Sequence, residues 1–141
     1  MNIEIMTCCR RATEIRGALN LEETFDSFSV AKTPVELHPF AIAIRFRALE
    51  AMVNPQLVFK GLNPVGEEMF KTPNVYPACQ VPPGASITYV FQVGRMRVTR
   101  AGVYRIQAEV DDQMIAELPL YVHLVGQHQR SRKSGFDVAL N

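Results

Sequence analysis

Residues Ala101 to Leu124 constrain this chain more than any other stretch. Tyr104, Ile106, Ala108 and Val110 alternate with Val103, Arg105, Gln107 and Glu109. After an Asp111-Asp112-Gln113 break, Met114, Ala116, Leu118, Leu120, Val122 and Leu124 alternate with Ile115, Glu117, Pro119, Tyr121 and His123. An apolar period of two, repeated on either side of a polar break, predicts a half-buried antiparallel hairpin. Its register follows from keeping apolar residues on one face: Val110 opposite Met114, Ala108 opposite Ala116, Ile106 opposite Leu118 and Tyr104 opposite Leu120. A slip that set Val110 against Gln113 would put Ile106 against Glu117. This favours a three-residue loop, Asp111 to Gln113.

The same pattern predicts further strands. Asn2 to Cys8 places Ile3 and Ile5 on one face and Glu4, Met6 and Cys8 on the other. Arg10 to Gly17 reads as a helical turn or a loop, and Gly17 to Asn20 and Thr24 to Val30 as short strands. Phe40 to Leu49 is a strong strand, and Gln56 to Lys60 precedes a loop of turn formers, Gly61 to Gly66. Met69 to Gln80, with Pro73 and Pro77, reads as irregular. Pro82-Pro83-Gly84 is a stop. Ser86 to Val93 is a strand with Ile87, Tyr89, Phe91 and Val93 buried. Gly94 marks a bulge or bend, and Arg95 to Arg100 either continues that strand or forms a connector. Short strands spaced by turns, with no long helical period, predict an all-β, single-domain antiparallel β-sandwich, immunoglobulin-like or C2-like, of about seven to eight strands. The domain is expected over 1–126, followed by a basic tail over 127–141. Alanine at Phe91, Ile44 or Ile106 is expected to cost about 3 kcal/mol or more.

Composition bounds the function. With 48% hydrophobic residues the chain can build a core, and its formal net charge of +1 offers no strong field to nucleic acid or anionic membranes. No apolar run reaches the roughly 18 residues of a spanning helix. The basic pair Arg10-Arg11 follows the first apolar stretch, the reverse of a secretory signal. These features predict a soluble cytoplasmic protein without a membrane partner. Cys8, Cys9 and Cys79 make an odd count, expected as free thiols in a reducing compartment. Adjacent Cys8 and Cys9 point to opposite faces of a strand, which suits neither a mutual disulfide nor a shared metal.

The order of several short pieces also carries a resemblance. An N-terminal strand leading to Cys, then Gly17-Ala18-Leu19-Asn20, Glu23-Thr24-Phe25-Asp26 and His38-Pro39 resemble a family of small uncharacterised bacterial proteins, over roughly Met1 to Val122 by the order of its motifs. That family's pattern carries an acidic residue after its Cys and a Gly before Thr-Phe-Asp, where this chain has Arg10 and Glu23. The resemblance implies a β-sandwich and no particular activity.

Candidate chemistry is sparse. His38 would serve as a base or ligand, but Pro39 beside it sets entry into the strongest strand. Asp111-Asp112 would need many more oxygens to hold calcium, and reads first as a solvated turn. A catalytic pair drawn from Cys8, Cys9 or Cys79 with His38, His123 or His128 has no local signature. Phosphate-cradling glycine loops, paired-Cys zinc motifs and HExxH are missing from the sequence, so no cofactor, metal or catalytic residue is assigned. Arg45 and Arg47, with Arg95, Arg97, Arg100 and Arg105, either solubilise sheet faces through pairs with Glu109 and Glu117 or form a basic patch. In the tail, Arg130, Arg132 and Lys133 precede the alternating Phe136, Val138 and Leu140, which suit strand addition to a sheet edge. These six tail residues are the candidate partner-binding set.

The sequence therefore predicts a non-enzymatic β-sandwich module acting through protein contacts, as a homo-oligomer or a subunit of a larger bacterial complex. A nucleic-acid-binding accessory protein and a cysteine-dependent enzyme or redox sensor are the alternatives.

Overall fold

A computed structural model describes residues 2–73 and 80–125, and within them the chain is built of strands and loops alone. Its first strand, β1, runs Asn2–Ile15 and turns back into β2, Ala18–Phe25. The turn is Arg16-Gly17, with φ of 53° and 81°, both in the left-handed region that a two-residue hairpin turn requires. Glu14 Oε2 accepts the Gly17 N–H at 2.8 Å. The expected break near Cys8 is therefore one continuous hairpin arm. The alternation fades there because, beyond Cys9, only Ala12 is buried and the other side chains of the arm face solvent.

After Asp26 the chain crosses to the second sheet as β3, Ser27–Val30. A short β4, Val35–Glu36, precedes β5, Phe40–Arg47. There follow β6 (Met52–Val53), β7 (Leu57–Leu62), β8 (Glu68–Lys71), β9 (Gln80–Val81) and β10 (Ser86–Val93). Then come β11 (Arg97–Val98), β12 (Gly102–Val110) and β13 (Gln113–Leu124). Two sheets form, one ordered β10-β5-β1-β2 and the other β3-β13-β12-β7-β8, with two-residue ladders β4–β11 and β6–β9 beside them.

This is the expected β-sandwich, with corrections. The two main sheets hold nine strands rather than seven or eight, because the stretch expected to be irregular contributes β8 and the Thr24–Val30 segment divides between two sheets. The pairing is not wholly antiparallel: β3 runs parallel to β13, from Ser27 opposite Tyr121 to Val30 opposite Leu124. Strands β13, β12 and β7 in one sheet against β5 and β10 in the other follow the immunoglobulin order rather than the C2-like one. The Tyr104 hydroxyl donates to the Arg100 carbonyl at 2.7 Å, the corner by which such folds fix the entry into the penultimate strand.

The terminal hairpin keeps its expected register from Tyr104–Leu120 to Ala108–Ala116. Its tip differs. Asp111 and Asp112, at φ 51° and 66°, make a two-residue turn, and Glu109 pairs with Met114. Ile115 is then one extra residue in β13, a bulge that restores the apolar register which a two-residue turn alone would have lost. A second bulge, between Ile3 and Ile5 of β1, corrects the predicted faces: Ile3 joins Met6 and Cys8 against the main core.

Between the sheets lie Phe40, Ile42, Ile44, Phe46, Leu57, Phe59, Ile87, Tyr104, Ile106 and Leu120, each at most 1% exposed. Strand β5 is buried on both faces. Its outward Ala41 and Ala43 pack with Cys9 and Ala12 under Leu19, Leu21 and Val90. The strand ends at Arg47, earlier than expected: Ala48 N–H donates to the Ala85 carbonyl at 2.9 Å, and Leu49 is exposed.

Candidate functional site

The four edges of the two main sheets differ. Strands β3 and β8 are only four residues each. At eight residues β2 is long, but its ALNLEETF sequence carries Glu22 and Glu23, and Glu23 sits at φ 54°. Charge and a local irregularity are what keep an edge from recruiting another strand. Edge strand β10 is equally long, SITYVFQV, without a charge, proline or glycine.

Beside β10, where it faces β8 of the other sheet, a cleft of about 400 Å³ opens. Met69, Phe70, Phe91, Val93 and Met96 give it an apolar floor, and Lys71, Arg95 and Arg97 stand among its lining residues. None of these three cations has an ion-pair partner among the described residues. The floor is held by stacked rings: Phe59 lies 5.3 Å from Phe91 at 10°, and Phe70 lies 6.3 Å from Phe91. Phe70 covers Gly61 on β7, where a Cβ would overlap its ring. That glycine is required for the aromatic of the edge strand to lie flat against its neighbour. Phe91, expected to be buried with Ile87, Tyr89 and Val93, is only half-buried because it lines this opening, and Tyr89 is half-buried as well.

Arg95 also lines a second recess of about 240 Å³, with Glu36, Leu37, His38 and Pro39. His38 therefore stands at the mouth of a polar hollow beside the apolar cleft, with neither Cys8 nor Cys9 among the residues lining that hollow. Those thiols lie on opposite faces of β1, as predicted, and both are fully buried. Burial pushes the Cys8 thiol up to about 12, with the Cys9 and Asp26 charges acting the same way, and burial also raises Cys9. A nucleophilic or redox-sensing thiol needs the opposite shift.

The arginines do not form one patch. Arg47 Nε donates to Glu4 Oε2 at 2.8 Å, and Arg45 Nε lies 3.3 Å from Glu4 Oε1. Their partner is Glu4, turned outward at the bulge, and not Glu109 or Glu117. Glu109 instead meets Lys60 at 3.1 Å, and Glu117 meets Gln107 at 2.8 Å and Arg105 at 3.9 Å. The two departures from the resembled pattern, Arg10 and Glu23, pair with each other at 3.4 Å.

Asp111 is a structural residue: its N–H donates to the Gln56 carbonyl and its Oδ1 accepts the Gln56 N–H, both at 3.0 Å. His123 stacks on Tyr121 along the outer side of β13. Among the described residues no three His, Cys, Asp or Glu side chains gather as a metal site, and no helix is long and apolar enough to cross a membrane. Cys79, His128 and the candidate tail residues Arg130, Arg132, Lys133, Phe136, Val138 and Leu140 lie outside the described residues.

Sequence reasoning missed Phe70 and Lys71 because Pro73 and Pro77 made the surrounding stretch read as loop. The uncharged run of β10 marks the open edge in the sequence, though not the cleft beside it.

Among solved structures the chain is similar to β-glucosidase from Listeria innocua, at 7% identity and TM-score 0.44 over 71% of this chain and 15% of that one. The same enzyme with glucose gives 7% and 0.45 over 86% and 16%, and with isofagomine 6% and 0.45 over 87% and 17%. This chain thus spans only a small part of that enzyme's length. No curated protein matches it. The model of a family of unknown function, DUF6941, matches residues 4–123, and the chain belongs to that family.

Proposed function

We propose that this domain is a non-enzymatic interaction module whose β8–β10 flank receives an extended segment of a protein partner, an identical or a different subunit. One observation carries the reading: the long uncharged edge strand borders an apolar cleft lined by three cations that have no ion-pair partner among the described residues. A strand added to β10 gains main-chain hydrogen bonds along the edge, and its alternate side chains enter the row of Tyr89, Phe91 and Val93. The cations favour a partner segment carrying acidic residues. Buried, protonated free thiols at Cys8 and Cys9 fit the reducing, cytoplasmic setting expected for such a subunit.

The nucleic-acid alternative is weakened by the loss of Arg45, Arg47 and Arg105 to carboxylate partners. Light scattering with absorbance at 260 and 280 nm, on protein isolated at low salt from its own cells, tests the choice. With no Trp and four Tyr the chain absorbs weakly at 280 nm, so bound nucleic acid stands out. The expected result is a discrete assembly with a protein-only spectrum that Phe91→Asp disperses. A 260 nm excess lost at high salt, or an assembly indifferent to Phe91→Asp, would contradict it.

A further inference from the structure

We infer that β10 pairs with β10 of a second copy of this chain, antiparallel about a two-fold axis at Val90, a reading that rests on the β10 edge receiving a strand. Ala48 N–H donates to the Ala85 carbonyl, and the register then runs unbroken from Ser86 opposite Arg47 to Val93 opposite Phe40. By the alternation of an antiparallel ladder, Ile87, Tyr89, Phe91 and Val93 bond β5, while Ser86, Thr88, Val90 and Gln92 turn their N–H and C=O groups to the free edge. Two copies related by a two-fold axis present these same groups to each other. Residues directly opposite share a face, so the axis passes through a residue of β10 and not between two. At Val90 it sets Tyr89 opposite Phe91 and Ile87 opposite Val93 on one face, and Thr88 opposite Gln92 on the other. At Tyr89 it would set Val93 opposite Ala85, outside the strand. The Val90 register makes about six main-chain hydrogen bonds from Thr88, Val90 and Gln92. It also brings Tyr89 of the second copy against the half-buried Phe91 at the cleft.

Charge complementarity points to a second copy as the occupant. Arg95 and Arg97 follow one end of β10, exposed and without an ion-pair partner among the described residues. At the other end, Gly84 N–H donates to the Ala48 carbonyl at 2.8 Å and Arg47 Nη1 to the Gly84 carbonyl at 2.7 Å. These bonds hold the loop that carries Glu50 beside the start of the strand. Glu50 is exposed and also has no ion-pair partner among the described residues. Pairing about Val90 brings Arg95 to the level of Ala85 of the second copy, so each cationic end meets the other copy's Glu50 corner. The two cationic ends stay apart, because the two Val93 residues are separated by about 20 Å along the strands. A formal net charge of +1 does not oppose association of like copies.

Sedimentation of the full chain over a range of concentrations tests the pairing. The wild type should form a dimer and nothing larger, because the two-fold axis uses the open β10 edge of each copy. Glu50→Lys and Arg95→Glu, both at exposed positions, should each weaken the dimer several-fold. An equimolar mixture of the two variants should restore it, since every corner then meets an opposite charge. A monomer at all concentrations, or a mixture no stronger than its components, would overturn the inference. Val90→Cys in a Cys79→Ser chain gives a second readout. A short bismaleimide should join two copies through it in high yield, and Ser86→Cys should give little, its two thiols lying about 27 Å apart. Equal yields would count against the Val90 axis. If the chain is monomeric while a photoprobe at Gln92 captures one segment of a different protein, the second-copy inference fails and the proposed function stands. A monomer with no capture from Gln92 sinks both.

Discussion

The two flanks of the sandwich solve the same problem differently. At one, β2 and β3 are consecutive in the chain, so the backbone itself crosses between the sheets. Phe25, Phe28 and Phe40 fill the crossing, with ring centroids 4.7 to 5.6 Å apart in edge-on and tilted contacts. At the other flank β8 and β10 are separate edges, the rings of Phe59, Phe70 and Phe91 lie more nearly parallel, and a cleft opens beside them. Chain continuity closes the first flank, and its exposed edge is blunted by Glu22 and the left-handed Glu23. Neither device operates at β10. The lesson is that apolar rings alone do not close a sandwich; what lies between the two edges does.

The contrast can be broken by mutation. Phe40→Ala removes a ring 1% exposed and should cost about 3–5 kcal/mol in urea unfolding. Phe91→Ala, at the open flank, should cost less than half as much, below the roughly 3 kcal/mol expected had it been buried. Equal losses would mean that the open flank is as closed as the other. Gly61→Ala should push Phe70 off β7 and cost about 1–3 kcal/mol by overpacking, and Phe70→Ala in the same chain should recover part of it. Independent, additive losses would deny the contact.

Tyr104→Phe should cost about 1 kcal/mol by deleting the hydroxyl's bond to Arg100, without changing either flank. The smallest effect expected is one of pH. The Arg47 hydrogen bond, helped by the charges of Arg47 and Arg45, holds the Glu4 carboxyl below its ordinary 4.5. Its contribution is complete above that value and is lost as pH falls through the lower, folded-state value. Stability measured against pH should therefore fall less steeply below about 4.5 in Glu4→Gln than in the wild type. Parallel curves would show that the exposed pair contributes nothing measurable.

Much of this fold is legible from alternation. The register of β12 with β13, the limits of β10 and the opposite orientation of Cys8 and Cys9 all follow from a period of two. The register failures share one cause, local devices that reset that period. The bulge at Glu4 swaps the face of Ile3 relative to Ile5, and the bulge at Ile115 lets a two-residue turn stand where a three-residue loop was expected. Arg16 and Asp111 adopt positive φ where a reader expects glycine or asparagine. The cleft was illegible for a different reason: it forms between strands distant in sequence, and no local pattern brings Phe70 to Phe91. Its basic character was half visible, since Arg95 and Arg97 stood out while the carboxylates that neutralise the other arginines could be assigned only in three dimensions.

Paired photoprobes at Gln92 on the open flank and Glu22 on the closed one, carried by the full chain in its own cells, decide whether β10 is the edge that receives a partner. Gln92 should yield a discrete adduct mapping to one extended segment of one protein, and Glu22 none above background. Equal labelling from both positions, or labelling from Glu22 alone, would contradict it.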